Sequence, residues 1–357
     1  MNLMEKMKAL VLEAPKTFSI QEVDIPEPKA GEVLVRVESV AICGSDPKTI
    51  NGDYVSIGWP AYFPFTPGHE FAATVVKAGE GVTSLKPGDR VGGEAHCGCG
   101  VCENCKKGQY NLCLNYGKPA AGHRHYGYTV PGAYAQYNVY NTKALELLPD
   151  NVSFDEASMV DTAGTALQVI RLTGIVPGGY TVVIGPGPVG IIVMQIARAM
   201  GSKAIMIGRG GRLAMAGKLG ADYLIDYEKT SDPVKEVFEI THGIGADRSF
   251  ECAGSDQAMA QCVYVLRKGG KTGFVSIPAV EMHPLPTKTI VMNQIAVLGS
   301  RANPNCSKEV LSLISSGKIN VKDMITHRFP LDDFGTALET FVKRLDGAMK
   351  VVIHPNA

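Results

Sequence analysis

The sequence predicts a two-domain α/β protein, with barrel-like antiparallel β structure in its first half and a doubly wound parallel sheet in its second. Three observations predict this. At 357 residues the chain exceeds the size at which one hydrophobic core keeps growing. Up to about residue 157 its apolar residues fall in short β-branched runs broken by Pro and Gly. From residue 180 onward such runs alternate with stretches at helical spacing.

Taken in order, residues 9–12, 33–40, 71–78, 90–91 and 133–139 read as strands of the first domain. Residues 154–172 place apolar side chains at helical spacing, with Asp155 and Glu156 near the start, where the helix dipole favours negative charge. Strands 181–184, 203–207, 223–225, 248–251, 271–276 and 296–298 then alternate with helices 188–200, 212–219, 233–241 and 256–266, the order of parallel βαβ units. A helix at 308–316, the stretch 325–331, a helix at 332–345 and a strand at 350–354 form a tail expected to return to the first domain. The expected boundaries are therefore 1–160, 161–298 and 299–357.

Composition excludes several classes of function. Basic and acidic side chains balance at 35 each, hydrophobic residues make up 45% and charged ones 20%, as in an ordinary soluble globular protein. No basic excess or basic run exists to neutralise phosphates, so a nucleic-acid partner is not expected. The apolar runs at 180–184 and 189–197 fall short of the ~20 residues a bilayer requires, so no membrane partner is expected either. Residues 1–8 carry lysines, but residues 9–12 give way at once to Glu13, Ala14 and Pro15, unlike a secretory leader. A cytoplasmic location is expected, and the bunching of the nine cysteines reads as metal binding rather than as a disulfide framework.

Directly after the strand at 181–184 comes Gly185-Pro186-Gly187-Pro188-Val189-Gly190, a GxGxxG that opens a helix. Gly185 permits a tight turn, Gly187 lets backbone approach a pyrophosphate, and Gly190 allows the helix to pack closely on the strand. The end of the next strand reads Ile207-Gly208-Arg209-Gly210-Gly211-Arg212 and lacks the acid that grips an adenosine ribose. Arg209 and Arg212 there favour NADP over NAD, the alternative being that both are solvated loop charges.

Two metal constellations follow. Cys99, Cys102, Cys105 and Cys113 lie within fifteen residues at the spacing of a closed four-thiolate zinc site, which would brace its lobe at about 95–115. Cys43 in Cys43-Gly44-Ser45-Asp46, His69 and Glu70 after Gly68, and Asp161 form a scattered second set. Each is ordinary alone, as a core cysteine or a satisfied polar cluster. Together they offer the mixed S/N/O donors with an open position that Lewis-acid work on an alcohol oxygen requires.

These motifs, with the terminal Gly347-Ala348-Met349-Lys350-Val351-Val352, resemble in order and spacing the zinc-containing medium-chain dehydrogenases of the alcohol dehydrogenase superfamily, closest to the polyol and threonine dehydrogenase-like branch. The resemblance covers essentially the whole chain. It implies a GroES-like β-barrel catalytic domain holding both zincs, split around a Rossmann domain. By position it implies Cys43 and His69 as the first two catalytic zinc ligands and Asp161 as a further one, with Glu70 binding directly or alternating with water or substrate. It places Ser45 as the hydroxyl that accepts the substrate proton, Asp46 as the carboxylate orienting His69, and Thr165 against the nicotinamide. The implied chemistry is hydride transfer between NAD(P) and a zinc-activated alcohol. Many relatives carry a histidine where this chain has Lys48, so either Lys48 with the cofactor ribose and water completes the proton relay, or the relay runs differently, or Lys48 is a surface residue without a role.

The alternatives to a zinc dehydrogenase are a zinc-free quinone or enoyl reductase of the same superfamily and a non-enzymatic metal or scaffold protein. Neither needs the second donor set. The substrate is expected to be a small polar alcohol, such as a polyol, a secondary alcohol or an amino alcohol, because residues 115–128 are rich in His, Arg and Tyr. A homo-oligomer, tetramer or dimer, is expected from the resemblance.

Overall fold

The computed structural model describes residues 6–278 and 284–357, so residues 1–5 of the leader reading lie outside the described residues. The chain divides into two units: Met1–Thr162 with Asn303–Ser315 and Val321–Ala357, and Ala163–Ala302 with Ser316–Asn320.

The first unit is built on a seven-stranded sheet. Its backbone is the strand Glu32–Ala41, paired antiparallel with Glu70–Ala78, with Tyr137–Asn141 and with the C-terminal strand Lys350–His354. Arg90–Gly93 and Leu145–Leu147 extend the sheet on one side and Ile325–Pro330 on the other. Only the last pairs in parallel with its neighbour. Alternation supplies the core: Val33, Val35, Val37, Phe71, Ala73, Val75, Val91, Val351 and Ile353 are all buried in one cluster with Leu10, Leu12 and Tyr134.

The second unit holds a six-stranded, all-parallel sheet in the order Tyr223–Asp226, Lys203–Gly208, Tyr180–Ile184, Ala246–Glu251, Leu266–Phe274, Ala296–Gly299. Central strands buried on both faces read as continuous apolar runs, here Val182, Val183 and Ile184 beside Ile205, Met206 and Ile207. The order reverses between Tyr180–Ile184 and Ala246–Glu251, and the crevice beyond the carboxyl ends of such neighbours is where doubly wound sheets take ligands.

Several elements differ from the sequence expectation for identifiable reasons. The helix expected over 154–172 is two helices, Phe154–Ser158 and Val160–Thr173. The first ends at Met159, its C-cap residue, with φ −81° and ψ −1°. The strand expected at 133–139 is displaced to Tyr137–Asn141, because residues 132–134 instead bond to the backbone of 66–68. The strand expected at 271–276 begins earlier, as Leu266–Phe274, where Gly269 and Gly270 mask its start. Thr17–Asp24, Leu145–Leu147 and the helices Asp46–Asn51 and Thr287–Met292 are additional elements.

Candidate active site and metal centres

Strand register assembles the mixed-donor site. Ala41 pairs with Glu70 and also with Val352, so the ends of three strands meet, and Cys43, His69, Glu70 and Lys350 lie within two residues of those pairs. Ligand atoms of Cys43, His69 and Glu70 all lie within 4.8 Å of one another. Gly68 carries φ +100°, and a Cβ there would stand 2.8 Å from the Tyr134 nitrogen. A Cβ on Gly127 would stand 2.5 Å, and one on Gly132 2.1 Å, from the Gly68 carbonyl, so three glycines let these segments pack against the one that presents His69.

The carboxylates have distinct partners. Asp46 Oδ2 accepts the Cys43 N–H at 2.8 Å and the Tyr134 hydroxyl at 2.7 Å, while its Oδ1 faces His69 Nδ1 at 3.6 Å. Burial opposes protonation of His69, but Cys43 and Asp46 together raise its pKa well above the ordinary value. Glu70 Oε1 accepts the Thr162 hydroxyl at 2.7 Å, and its Oε2 pairs with Lys350, whose ammonium also donates to the Ile42 carbonyl. Lys350 and Glu70 are almost wholly buried, so each neutralises a charge that would otherwise be expensive to hold.

Asp161 stands outside the Cys43–His69–Glu70 group. Its Oδ1 accepts the Ala95 N–H at 3.3 Å and the Asn303 amide at 3.0 Å, and burial raises its pKa. Ser45 precedes the helix Asp46–Asn51, and its hydroxyl meets the Tyr128 hydroxyl at 2.6 Å. Lys48 lies over the Tyr54 ring at 5.6 Å. The partners that the sequence did not single out are Tyr128, Tyr134, Thr162, Asn303 and Lys350. Only Lys350 left a signal, a charged residue opening the apolar run that ends the chain.

The four-cysteine lobe has the geometry of a closed site. The Sγ atoms of Cys99, Cys102, Cys105 and Cys113 lie within 4.8 Å of one another, with Cys99–Cys105 and Cys102–Cys113 both at 3.9 Å. Tetrahedral Zn–S bonds of about 2.3 Å place sulfurs about 3.8 Å apart, whereas a disulfide needs about 2 Å. The donors therefore fit zinc. The Asn115 amide and neighbouring backbone lower the Cys99 pKa to about 6, while burial pushes Cys105 up to about 12. Four thiolates cannot share that space without a cation.

In the second unit Gly187 caps the helix Pro188–Ala199, with Pro188 and Val189 as its first residues. Gly185 carries φ +105°, and a Cβ there would lie 2.8 Å from Cys252 backbone; one on Gly190 would lie 2.1 Å from the Gly185 carbonyl. A Cβ on Gly187 would meet nothing within 4 Å, so the chain's own packing does not require that glycine. Arg209, exposed at the start of the helix Gly210–Lys218, pairs with Glu228 at 2.6 Å, and Arg212 lies in the first turn. Thr165 lies on the helix Val160–Thr173.

Comparison with known proteins agrees with this picture. The model of the alcohol dehydrogenase GroES-like domain matches residues 29–150, and that of the zinc-binding dehydrogenases matches residues 188–316. The chain is 34% identical to a sorbitol dehydrogenase of Halalkalibacterium halodurans, over 98% of this chain and 99% of the relative. It is also 34% identical to a D-arabitol-phosphate dehydrogenase of Enterococcus avium, over 98% of each. A solved chain described as a zinc-binding dehydrogenase, from Sinorhizobium meliloti and bound to NADP, superposes with a TM-score of 0.88 at 28% identity, covering 98% of this chain and 100% of that one. The chain belongs to the zinc-containing alcohol dehydrogenase family, with its GroES-like and Rossmann-type domains. Within that family it falls in the polyol dehydrogenase branch, as an NAD(P)-dependent zinc oxidoreductase acting on CH–OH groups.

Proposed function

We propose that the chain oxidises a small polyol, or reduces the matching ketose, with Cys43, His69 and Glu70 holding a catalytic zinc and the four-cysteine lobe holding a structural one. The observation that carries this is the open three-donor set within 4.8 Å, next to the Ser45 hydroxyl. Zinc there supplies Lewis acidity toward an alcohol oxygen. The reaction moves a hydride from the carbinol carbon to the nicotinamide and releases the hydroxyl proton, which Ser45 Oγ is placed to accept while passing its own hydrogen outward to solvent. Asp46 fixes the His69 ring through Nδ1, leaving Nε2 for the metal. Asp161 serves the site as a buried carboxylate held by Ala95 and Asn303, and Thr165 is assigned to the nicotinamide by family position.

Gly185, Gly187, Pro188, Val189 and Gly190 form the proposed pyrophosphate cradle: the open space at Gly187 and the uncapped N–H groups of Pro188–Ala199 suit a phosphate. NADP is preferred over NAD in this reading, with Arg209 and Arg212 at the 2′-phosphate, since Gly208 and not an acid ends its strand. The NADP-bound Sinorhizobium relative supports that choice. The sorbitol and arabitol-phosphate dehydrogenase relatives support a polyol substrate.

Two further features complete the proposal. The edge strand Ala296–Gly299 lies beside the helix Thr287–Met292, where Val291 is 77% and Met292 73% exposed; such an edge suits pairing with a second copy, hence a dimer or tetramer. All nine cysteines are free and no helix among the described residues is long and apolar enough to cross a membrane; the free thiols support a reducing, cytoplasmic setting. The test is zinc content together with a nicotinamide absorbance screen of polyols, hydroxy-amino acids and short secondary alcohols.

A further inference from the structure

We propose that Tyr128 is a positioning residue for the Ser45 hydroxyl; this rests on the dehydrogenase reading above. The Tyr128 hydroxyl stands 2.6 Å from Ser45 Oγ and 3.4 Å from His69 Nε2, the nitrogen turned away from Asp46. With a metal on His69 Nε2 that nitrogen has no lone pair left for the phenol, so Ser45 Oγ is the hydrogen-bond partner that remains.

The phenol is held where it is. The Tyr128 ring stacks on His125 at 4.2 Å and packs on Trp59 at 4.6 Å. His125 in turn stacks on His96 at 3.8 Å and bonds to the Tyr116 hydroxyl. The Tyr128 N–H donates to the His125 carbonyl, and its own carbonyl accepts from Ala61. With 5% exposure and the rings of His125, Trp59 and His69 packed around it, the side chain has little room to change rotamer, which holds its oxygen in place.

A serine hydroxyl has one hydrogen and two lone pairs. Unrestrained, it rotates, and only some orientations present a lone pair to an incoming alcohol hydrogen. A hydrogen bond to a fixed phenol oxygen selects one of them, which lowers the barrier of the proton step without adding affinity for the bound alcohol.

The test is a double-mutant cycle on the zinc-loaded full-length enzyme, using whichever polyol gives the highest kcat/KM. Tyr128→Phe should lower kcat by about 10²-fold while KM stays within about threefold. Ser45→Ala should lower kcat at least as much, and the double variant should be no worse than Ser45→Ala by more than about twofold. Fluorescence of Trp59, the only tryptophan of the chain, should report an unchanged polyol dissociation constant in Tyr128→Phe. Should that variant lose its fold, Tyr128→His, which keeps a ring with a polar edge, takes its place and should retain more than a tenth of wild-type kcat. An unchanged kcat, a rise in KM alone, or multiplicative losses in the double variant would overturn the proposal. A wild type that contains zinc yet turns over no alcohol would instead sink the functional reading on which it rests.

Discussion

At the scale of single residues, Cys43, His69 and Glu70 are ordinary one by one in the sequence and became legible as a set through their mixed S/N/O chemistry and the family resemblance. Their partners were not, since Tyr128 lies 59 residues from His69 and Lys350 lies 280 from Glu70. Cys43→Ala should abolish turnover while leaving the fold and the lobe zinc intact, seen as loss of activity with an unchanged circular dichroism spectrum; retained activity would refute the ligand assignment. Lys350→Met leaves a buried Glu70 carboxylate without its counter-charge, so urea unfolding should show a loss of about 3–5 kcal/mol. Added zinc, which gives that carboxylate a new cation, should recover part of it. Arg209→Asp should move cofactor preference toward NAD, read as the ratio of kcat/KM for the two dinucleotides; persistent NADP preference would place the phosphate on another residue.

At the scale of elements, side chains far apart in sequence bind the lobe to the tail. Glu94 follows the strand Arg90–Gly93, and its Oε1 accepts from the Cys306 N–H and Ser307 hydroxyl, both at 3.2 Å. Its other oxygen accepts from Tyr110, which in turn accepts from the Asn305 N–H. Burial raises the Glu94 pKa to about 7, against the Tyr110, Cys306 and Ser307 bonds that lower it. A carboxyl with a folded pKa above its unfolded one contributes stability that is complete below about pH 4.5 and is lost as pH rises through about 7. Glu94→Gln, which cannot ionise, should flatten the dependence of Tm on pH across that window; an unchanged slope would mean Glu94 is ionised throughout. Asp155 works in the opposite sense: burial alone would raise it, but His354, Arg328 and Ser39 hold it at about 2. That links the helix Phe154–Ser158 to three strands, and the part held by the Asp155 charge is lost as pH falls toward 2. The sequence showed this helix through Asp155 and Glu156 but not its end, because no Gly or Pro marks the break at Met159.

At the scale of the whole molecule, the alternation of strand and helix after residue 180 was readable because parallel strands buried on both faces are continuous apolar runs, and their observed order follows. The first unit was harder to read. Its sheet is completed by strands from the tail, Ile325–Pro330 and Lys350–His354, and the register of the latter with Glu32–Ala41 brings Lys350 to Glu70. No local pattern carries that pairing. The lobe was legible as a candidate metal site because four thiols at such regular spacing match a closed zinc site. The most direct test of the account is zinc per chain in the purified protein, measured alongside polyol-dependent reduction of NADP and NAD. Two zincs per chain with polyol turnover, falling to one zinc and no turnover in Cys43→Ala, is the predicted result. One zinc or none in the wild type, without turnover of any polyol, would contradict it.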